Sequence, residues 1–221
     1  GFRLNETSIV KRLIDSIGYA PQMIMSHLAC ADTPAHEKNR TQLALFTSVM
    51  AQFPGIPASL SNSAGLMSNR ENHFQMVRPG IALYGGRAVA GRRNPMAPVV
   101  TLEAPVLMTK DVKTGETVGY GALQTMSRDS RLAIVAIGYA DGFFRSLSSS
   151  NNHRGTHVVI QGQPCPVVGR VSMDMIGVDV TDLPRPPAPD EMVEIIGRQV
   201  TVDDHADIAN TIGYEVLTSL K

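Results

Sequence analysis

Val77-Arg78-Pro79-Gly80-Ile81-Ala82-Leu83-Tyr84-Gly85 sets a permanent cation inside an otherwise apolar, strand-like run. Arginine does not deprotonate in a protein and offers a rigid fork of donors, so a guanidinium here needs acceptors aimed at it. A carboxylate or solvent at a strand end could supply them, and so could a bound molecule. The run also completes a rhythm. Met23-Ile24-Met25 leads into Ser26-His27-Leu28, and Ile56-Pro57-Ala58-Ser59-Leu60-Ser61 leads into Asn62-Ser63-Ala64-Gly65, each a short apolar strand ending in small polar residues. Ahead of the first strand, Asn5 to Ile17 spaces Ile9, Val10, Leu13, Ile14 and Ile17 along one helix face and stops at Gly18; between the two, His36 to Phe53 is helical up to Pro54-Gly55. Alternating helices and strands of this kind form a parallel α/β unit, whose ligands gather at the carboxyl ends of the strands.

After about Asn94 the residues become rich in Val, Ile, Thr and Gly, and the spacing predicts strands over Val99 to Val112, Glu116 to Tyr120, Arg131 to Gly138, Thr156 to Gln161, Pro166 to Val171 and Met175 to Val180. The expected organisation is therefore an α/β domain over 1–94 and an all-β domain over 95–221. Ser146 to Asn152 reads as a mobile polar loop, and Leu183 to Pro189 as a stiff surface connection. Thr201 to Lys221 reads as a helix over Asp204 to Thr211, followed by a strand entered through Gly213-Tyr214-Glu215-Val216.

The chain has 221 residues, 20 basic and 20 acidic side chains and no net charge, so nothing in its electrostatics recommends a nucleic acid or an anionic membrane as partner. No apolar run approaches a membrane span, and Gly1-Phe2-Arg3-Leu4 does not open a signal peptide, so the expected partner is a small molecule and the expected location cytoplasmic. Cys30 and Cys165 read as two reduced, packed thiols. His27, Cys30, Asp32 and His36 form one possible metal cluster, and Asp203-Asp204-His205 with Asp207 a second. Neither has tight ligand spacing, and no metal is expected.

Seven motifs stand in order along the chain: Ser26-His27-Leu28-Ala29-Cys30-Ala31-Asp32, Ser61-Asn62-Ser63-Ala64-Gly65, Arg78-Pro79-Gly80-Ile81-Ala82-Leu83-Tyr84-Gly85, Val118-Gly119-Tyr120-Gly121-Ala122, Gly138-Tyr139-Ala140-Asp141-Gly142, Gly169-Arg170-Val171-Ser172-Met173-Asp174 and Thr211-Ile212-Gly213-Tyr214-Glu215. In order and spacing they resemble the alanine racemases, pyridoxal-phosphate enzymes of fold type III, over almost the whole chain. The resemblance implies half of a TIM-type α/β barrel followed by a C-terminal β-strand-rich domain. It implies that Arg78 faces the pyridine nitrogen of the cofactor, where a non-acidic donor leaves that nitrogen unprotonated, and that His27 lies beside the ring toward Arg78. Asn62, Ser63, the backbone near Gly80 and Ile81, and Tyr214 are implied to hold the phosphate; small polar residues at a strand end suit that task.

Tyr120 is implied to be the catalytic base for the L-alanine face, supplied to the active site of the partner subunit of a homodimer. A free phenol titrates near pH ~10, so the site must stabilise its phenolate, which a chain from Tyr120 through His27 to Arg78 would do. Met173 is implied to bind the substrate carboxylate through its backbone N–H, with Tyr139 and Asp174 in support. The implied reaction interconverts L- and D-alanine by a two-base, Lys/Tyr mechanism on a pyridoxal phosphate aldimine. The Schiff-base lysine is the missing part: Lys11, Lys38, Lys110, Lys113 and Lys221 sit on helix surfaces, in a polar turn region or at the terminus. The expectation is thus a fragment lacking the first half of the barrel, inactive and weak in cofactor binding when isolated. Racemisation of serine or lysine, or a non-catalytic binding module, are the alternative readings.

Overall fold

The computed structural model describes residues 1–220, in two compact units: Gly1–Leu83 with Arg87–Met96, and Tyr84–Gly86 with Ala97 onward. In the first unit, helix α1 (Thr7–Ile17) ends at Gly18, whose φ of 64° is the left-handed stop that glycine tolerates. Strand β1 (Ile24–Met25), helix α2 (Glu37–Met50), strand β2 (Ala58–Asn62), helix α3 (Ser63–Ser68) and strand β3 (Met76–Arg78) follow. The strands form a parallel sheet in the order β1-β2-β3, with Ile24 opposite Ala58 and Asn62 opposite Arg78. Leu60, Ala58 and Ser59 of the central strand are fully enclosed, beneath Phe46, Val49 and Phe53 of the α2 region. The other flank is open. Ile9, Leu13 and Ile17 of α1 and Met25 at the sheet edge are 56–60% exposed, so an apolar stripe that the helix pattern designates as a packing face has nothing against it among the described residues. The unit is a partial α/β barrel.

The second unit is a closed antiparallel barrel. Its strands are β4 (Leu102–Val112), β7 (Ser130–Val135), β8 (His157–Ile160), β9 (Gln163–Val168), β10 (Ile176–Asp179) and β11 (Met192–Ile196), ordered β10-β7-β4-β11-β8-β9, beside a small hairpin of β5 (Thr117–Val118) and β6 (Gln124–Thr125). Closure leaves the six-stranded barrel without an edge strand. Val106, Val135, Val158, Ile160, Val178, Val193 and Ile195 fill its interior at essentially zero exposure, joined by residues of α4 (Val202–Ala209) and α5 (Gly213–Ser219). A fully buried side chain of this size contributes roughly 1.5–3 kcal/mol of transfer free energy, so this interior dominates the unit's stability.

Four expectations need correction. The segment from Gly213 is a helix: its aromatic and β-branched residues read as a strand, but Val216 N–H donates to the Ile212 carbonyl, Thr211 Oγ1 donates to Glu215, and Val216 packs inward with α4. β11 is absent from the expected strands, yet it is the stave that joins β4 to β8. Ser146 to Asn152 is knitted down. Leu147 is buried, Ser149 Oγ donates to the Val167 carbonyl at 2.7 Å and accepts from Gly169 N–H at 3.1 Å, and Asn151 Oδ1 accepts from Thr125 N–H at 2.8 Å. Of the two free thiols only Cys165 is fully packed, its thiol pushed up to about 11 by burial, whereas Cys30 is half-buried.

Candidate active site

Arg78 ends β3 and reaches across the sheet. Its Nη1 donates to Ser59 Oγ at 2.5 Å, and its Nη2 donates to the Ser26 carbonyl at 2.7 Å, with the Leu60 carbonyl at 3.5 Å and His27 Nδ1 at 3.4 Å. Ser59 Oγ donates in turn to the Met76 carbonyl at 2.9 Å, which turns its lone pairs toward the guanidinium. Every neighbour is a neutral acceptor. No carboxylate among the described residues pairs with Arg78, so the strand-end ion pair that its position alone would suggest is not formed.

Each ring nitrogen of His27 faces a donor at 3.4 Å, Arg78 Nη2 at Nδ1 and Asn62 Nδ2 at Nε2, and the charged guanidinium is the stronger of the two. Arg78 can only donate, so Nδ1 accepts, and in a neutral ring Nε2 carries the proton. Asn62 Nδ2 stands 3.4 Å from that Nε2, while Asn62 Oδ1 accepts from Gly65 N–H at 2.9 Å as the cap of α3. Two donors thus face one another, and the His27 Nε2–H remains available to another acceptor. Ser63, wholly buried beside them, accepts from Gly80 N–H at 2.9 Å and Ala82 N–H at 3.3 Å, which ties the loop after β2 to the loop after β3. The Ile81 N–H next to this knot donates to no acceptor among the described residues. The first unit therefore gathers His27, Asn62, Ser63, Arg78, Gly80 and Ile81 at the carboxyl end of its sheet.

The remaining candidates belong to the second unit. Tyr120 sits on a turn between Gly119 and Gly121, both near φ 80°, and a Cβ on Gly119 would fall 2.7 Å from Arg170 N. Its side chain is 71% exposed, and its hydroxyl meets no described residue. Tyr139, Met173 and Asp174 share one platform. Tyr139 N–H donates to the Ser172 carbonyl and Ala140 N–H to the Met173 carbonyl, both at 3.0 Å, while Asp141 accepts from Gly138 N–H at 2.9 Å. The two segments touch so closely that a Cβ on Gly138 would lie 2.1 Å from the Met173 carbonyl oxygen. Tyr214 stands in the first turn of α5, whose far end at Ser219 abuts Gly142 of the same platform.

Sequence reading missed Ser59, Gln42 and Asn39. Ser59 left one signal, a hydroxyl in a strand with no exposed face. Gln42 and Asn39 left none, because polar residues on a helix ordinarily face solvent. Lys11, Lys38, Lys110 and Lys113 are all exposed; Lys221 lies outside the described residues. Among the described residues no three His, Cys, Asp or Glu side chains stand together as a metal site, and no helix is long and apolar enough to cross a membrane.

Residues 1–88 match the family model described as alanine racemase, N-terminal domain, and residues 99–221 the model described as alanine racemase, C-terminal domain. The alanine racemase of Rhizobium meliloti (strain 1021) is 48% identical over 209 residues, which is 91% of this chain and 55% of that protein. The biosynthetic alanine racemase of Agrobacterium fabrum is 47% identical over 91% of this chain and 54% of its own length. Among solved structures, the alanine racemase of Bartonella henselae with covalently bound pyridoxal phosphate superposes with a TM-score of 0.86 at 38% identity, and that of Acinetobacter baumannii with 0.88 at 37%; each covers 100% of this chain and 60% of the solved one. The chain spans about half the length of the curated relatives it matches. With both family models aligned end to end over the two structural units, this chain is a member of the alanine racemase family.

Proposed function

We propose that the protein interconverts L- and D-alanine with pyridoxal phosphate, that residues 1–94 and 95–221 supply the cofactor-facing and substrate-facing parts of the site, and that the 221 residues alone do not turn over. The observation that carries this reading is Arg78, a fixed cation ringed by Ser59, Ser26 and His27, with no anion from the described residues. A ring nitrogen with a free lone pair matches its remaining donors. The Ile81 N–H without an acceptor, and the open space on the Cβ side of Gly80, suit a phosphate held with Asn62, Ser63 and Tyr214. These residues fit the cofactor.

Bound pyridoxal phosphate supplies the electron-withdrawing group that acidifies the amino acid's Cα–H. Arg78 would hold the ring nitrogen as a hydrogen-bond donor that does not surrender its proton. His27, aligned by Arg78, would hold the phenolic oxygen of Tyr120 through its Nε2–H. Tyr120 takes or returns the proton on the L face of Cα, within the partner subunit of a homodimer, and a lysine outside these 221 residues serves the D face. The Met173 N–H holds the substrate carboxylate, with Tyr139 and Asp174 shaping its approach. The protein acts in the cytoplasm.

The test compares the protein at its natural length with the 221-residue chain. Steady-state racemisation of alanine is expected of the first and not of the second, and Tyr120→Phe should lower kcat by about 10²- to 10⁴-fold while the cofactor stays bound. A natural-length protein that binds pyridoxal phosphate but turns over only serine or lysine would refute the substrate, and turnover by the 221 residues alone would refute the assignment of the second base.

A further inference from the structure

The backbone leaving β1 has an unusual set of partners. The ladder to β2 runs as far as Ser26, whose N–H donates to the Ser59 carbonyl at 3.0 Å. There the strand peels away, and its next polar groups would be orphaned if side chains did not take them up. Arg78 takes the Ser26 carbonyl. Gln42, on the face of α2, takes two groups at once: its Nε2 donates to the His27 carbonyl at 3.0 Å, and its Oε1 accepts from Ala29 N–H at 2.9 Å. Those two groups flank Leu28, which is the bonding pattern of one residue of a parallel neighbouring strand. A single side-chain amide thus continues the sheet for one more residue. One turn earlier on the same helix, Asn39 Nδ2 donates to the Cys30 carbonyl at 2.9 Å and the Thr33 carbonyl at 3.1 Å, extending the grip along the loop.

The clamp fixes His27. Leu28 is driven inward, 3% exposed, with its Cδ1 where a Cβ on Gly65 would lie 2.9 Å away, so the chain at this point has one face down and His27 up. With the carbonyl of His27 held by Gln42 and the preceding carbonyl held by Arg78, rotation of the peptide that carries the imidazole is blocked from both sides. We propose that Gln42 is a positioning residue that keeps His27 Nδ1 on Arg78 and therefore keeps the ring proton on Nε2. This inference rests on the proposed racemase reading for its catalytic consequence, but not for its structural one.

The experiment uses the protein at its natural length with ¹⁵N-labelled histidine. Gln42→Leu removes both hydrogen bonds and keeps the apolar stem; Gln42→Glu keeps an acceptor for Ala29 N–H and loses the donor to His27; Arg40→Ala, on the exposed side of α2, is the control. In the cofactor-free wild type, His27 nitrogen shifts should be those of the Nε2–H tautomer. Gln42→Leu should give a mixture of both tautomers and, in the loaded enzyme, a fall in kcat of about 10- to 100-fold with KM within about twofold, the size expected when a catalytic group is misplaced by an ångström or less. Gln42→Glu should fall between, and it carries the test if Gln42→Leu does not fold. An unchanged nitrogen spectrum in a folded Gln42 variant overturns the proposal, whatever happens to its melting temperature or rate. If the wild type itself fails to racemise alanine, the functional reading fails while the spectrum still decides the clamp.

Discussion

His205 titrates against the fold. It lies on α4, 1% exposed, with Nε2 unpartnered among the described residues and its ring edge-on to Phe143 at 5.5 Å and 86°. Burial pulls its pKa from the ordinary 6.5 down to about 4; Asp204 opposes this slightly, and His157 adds to it. The folded protein therefore resists a proton that the unfolded chain accepts readily, and stability rises with pH wherever the unfolded state binds more protons. The contribution is complete above pH 6.5 and is lost as pH falls through 4. A difference of 2.5 between these two values corresponds to about 3 kcal/mol at 1.36 kcal/mol per unit, a large share of a domain's net stability. Because Phe143 directly follows the 138–142 turn on which Tyr139 and Met173 depend, acid should loosen that platform first. Urea unfolding of the protein and of His205→Leu, measured at half-unit steps from pH 7.5 to 4, isolates the effect, since ion-paired carboxylates such as Asp129 and Glu191 titrate alike in both. The wild type should lose about 3 kcal/mol more than the variant. Parallel curves for the two proteins would refute the assignment.

Gly138→Ala should drive its Cβ into the Met173 carbonyl, and because backbone meets backbone the loop must move. Destabilisation of about 1–3 kcal/mol in denaturant is expected, with faster amide exchange at residues 172–174. Ser59→Ala removes the acceptor of Arg78 Nη1 and the donor to the Met76 carbonyl, so a loss of about 2 kcal/mol is expected by the same unfolding assay, together with weaker pyridoxal phosphate binding in fluorescence titration. Arg78→Lys keeps the charge but not the fork that serves Ser59 and Ser26 together. Losing one charge-assisted hydrogen bond, worth about 1.5–3 kcal/mol, should weaken cofactor binding by about 10- to 100-fold, and an unchanged dissociation constant would remove Arg78 from the site.

Local chemistry made much of the architecture legible. The helical spacing of Ile9 to Ile17 and the glycine at 18 marked α1 to its last residue, and Asn62 before Ser63-Ala64-Gly65 marked the cap of α3, because caps and amphipathic faces are settled within a few residues of chain. Gly213-Tyr214-Glu215-Val216 misled for the converse reason. Its strand-forming residues are overruled by the packing of Val216 against the barrel interior, an energy that composition does not contain. Ser146 to Asn152 looked mobile because serine and asparagine hydroxyls and amides are ordinarily solvated, and their partners here come from β6 and β9, distant in sequence.

By itself, the sequence held seven motifs in order, and their resemblance to the alanine racemases is what singled out His27, Asn62, Arg78, Tyr120 and Met173 as candidate site residues before any fold was known. Only the tertiary structure decided how they are held. A guanidinium needs acceptors in specific directions, and Ser59, the Ser26 carbonyl and the Gln42 clamp reach the Arg78–His27 pair from three separate segments. Hydrogen bonds of that kind depend on distance and angle rather than on residue type, so they exist only once the sheet has brought the segments together.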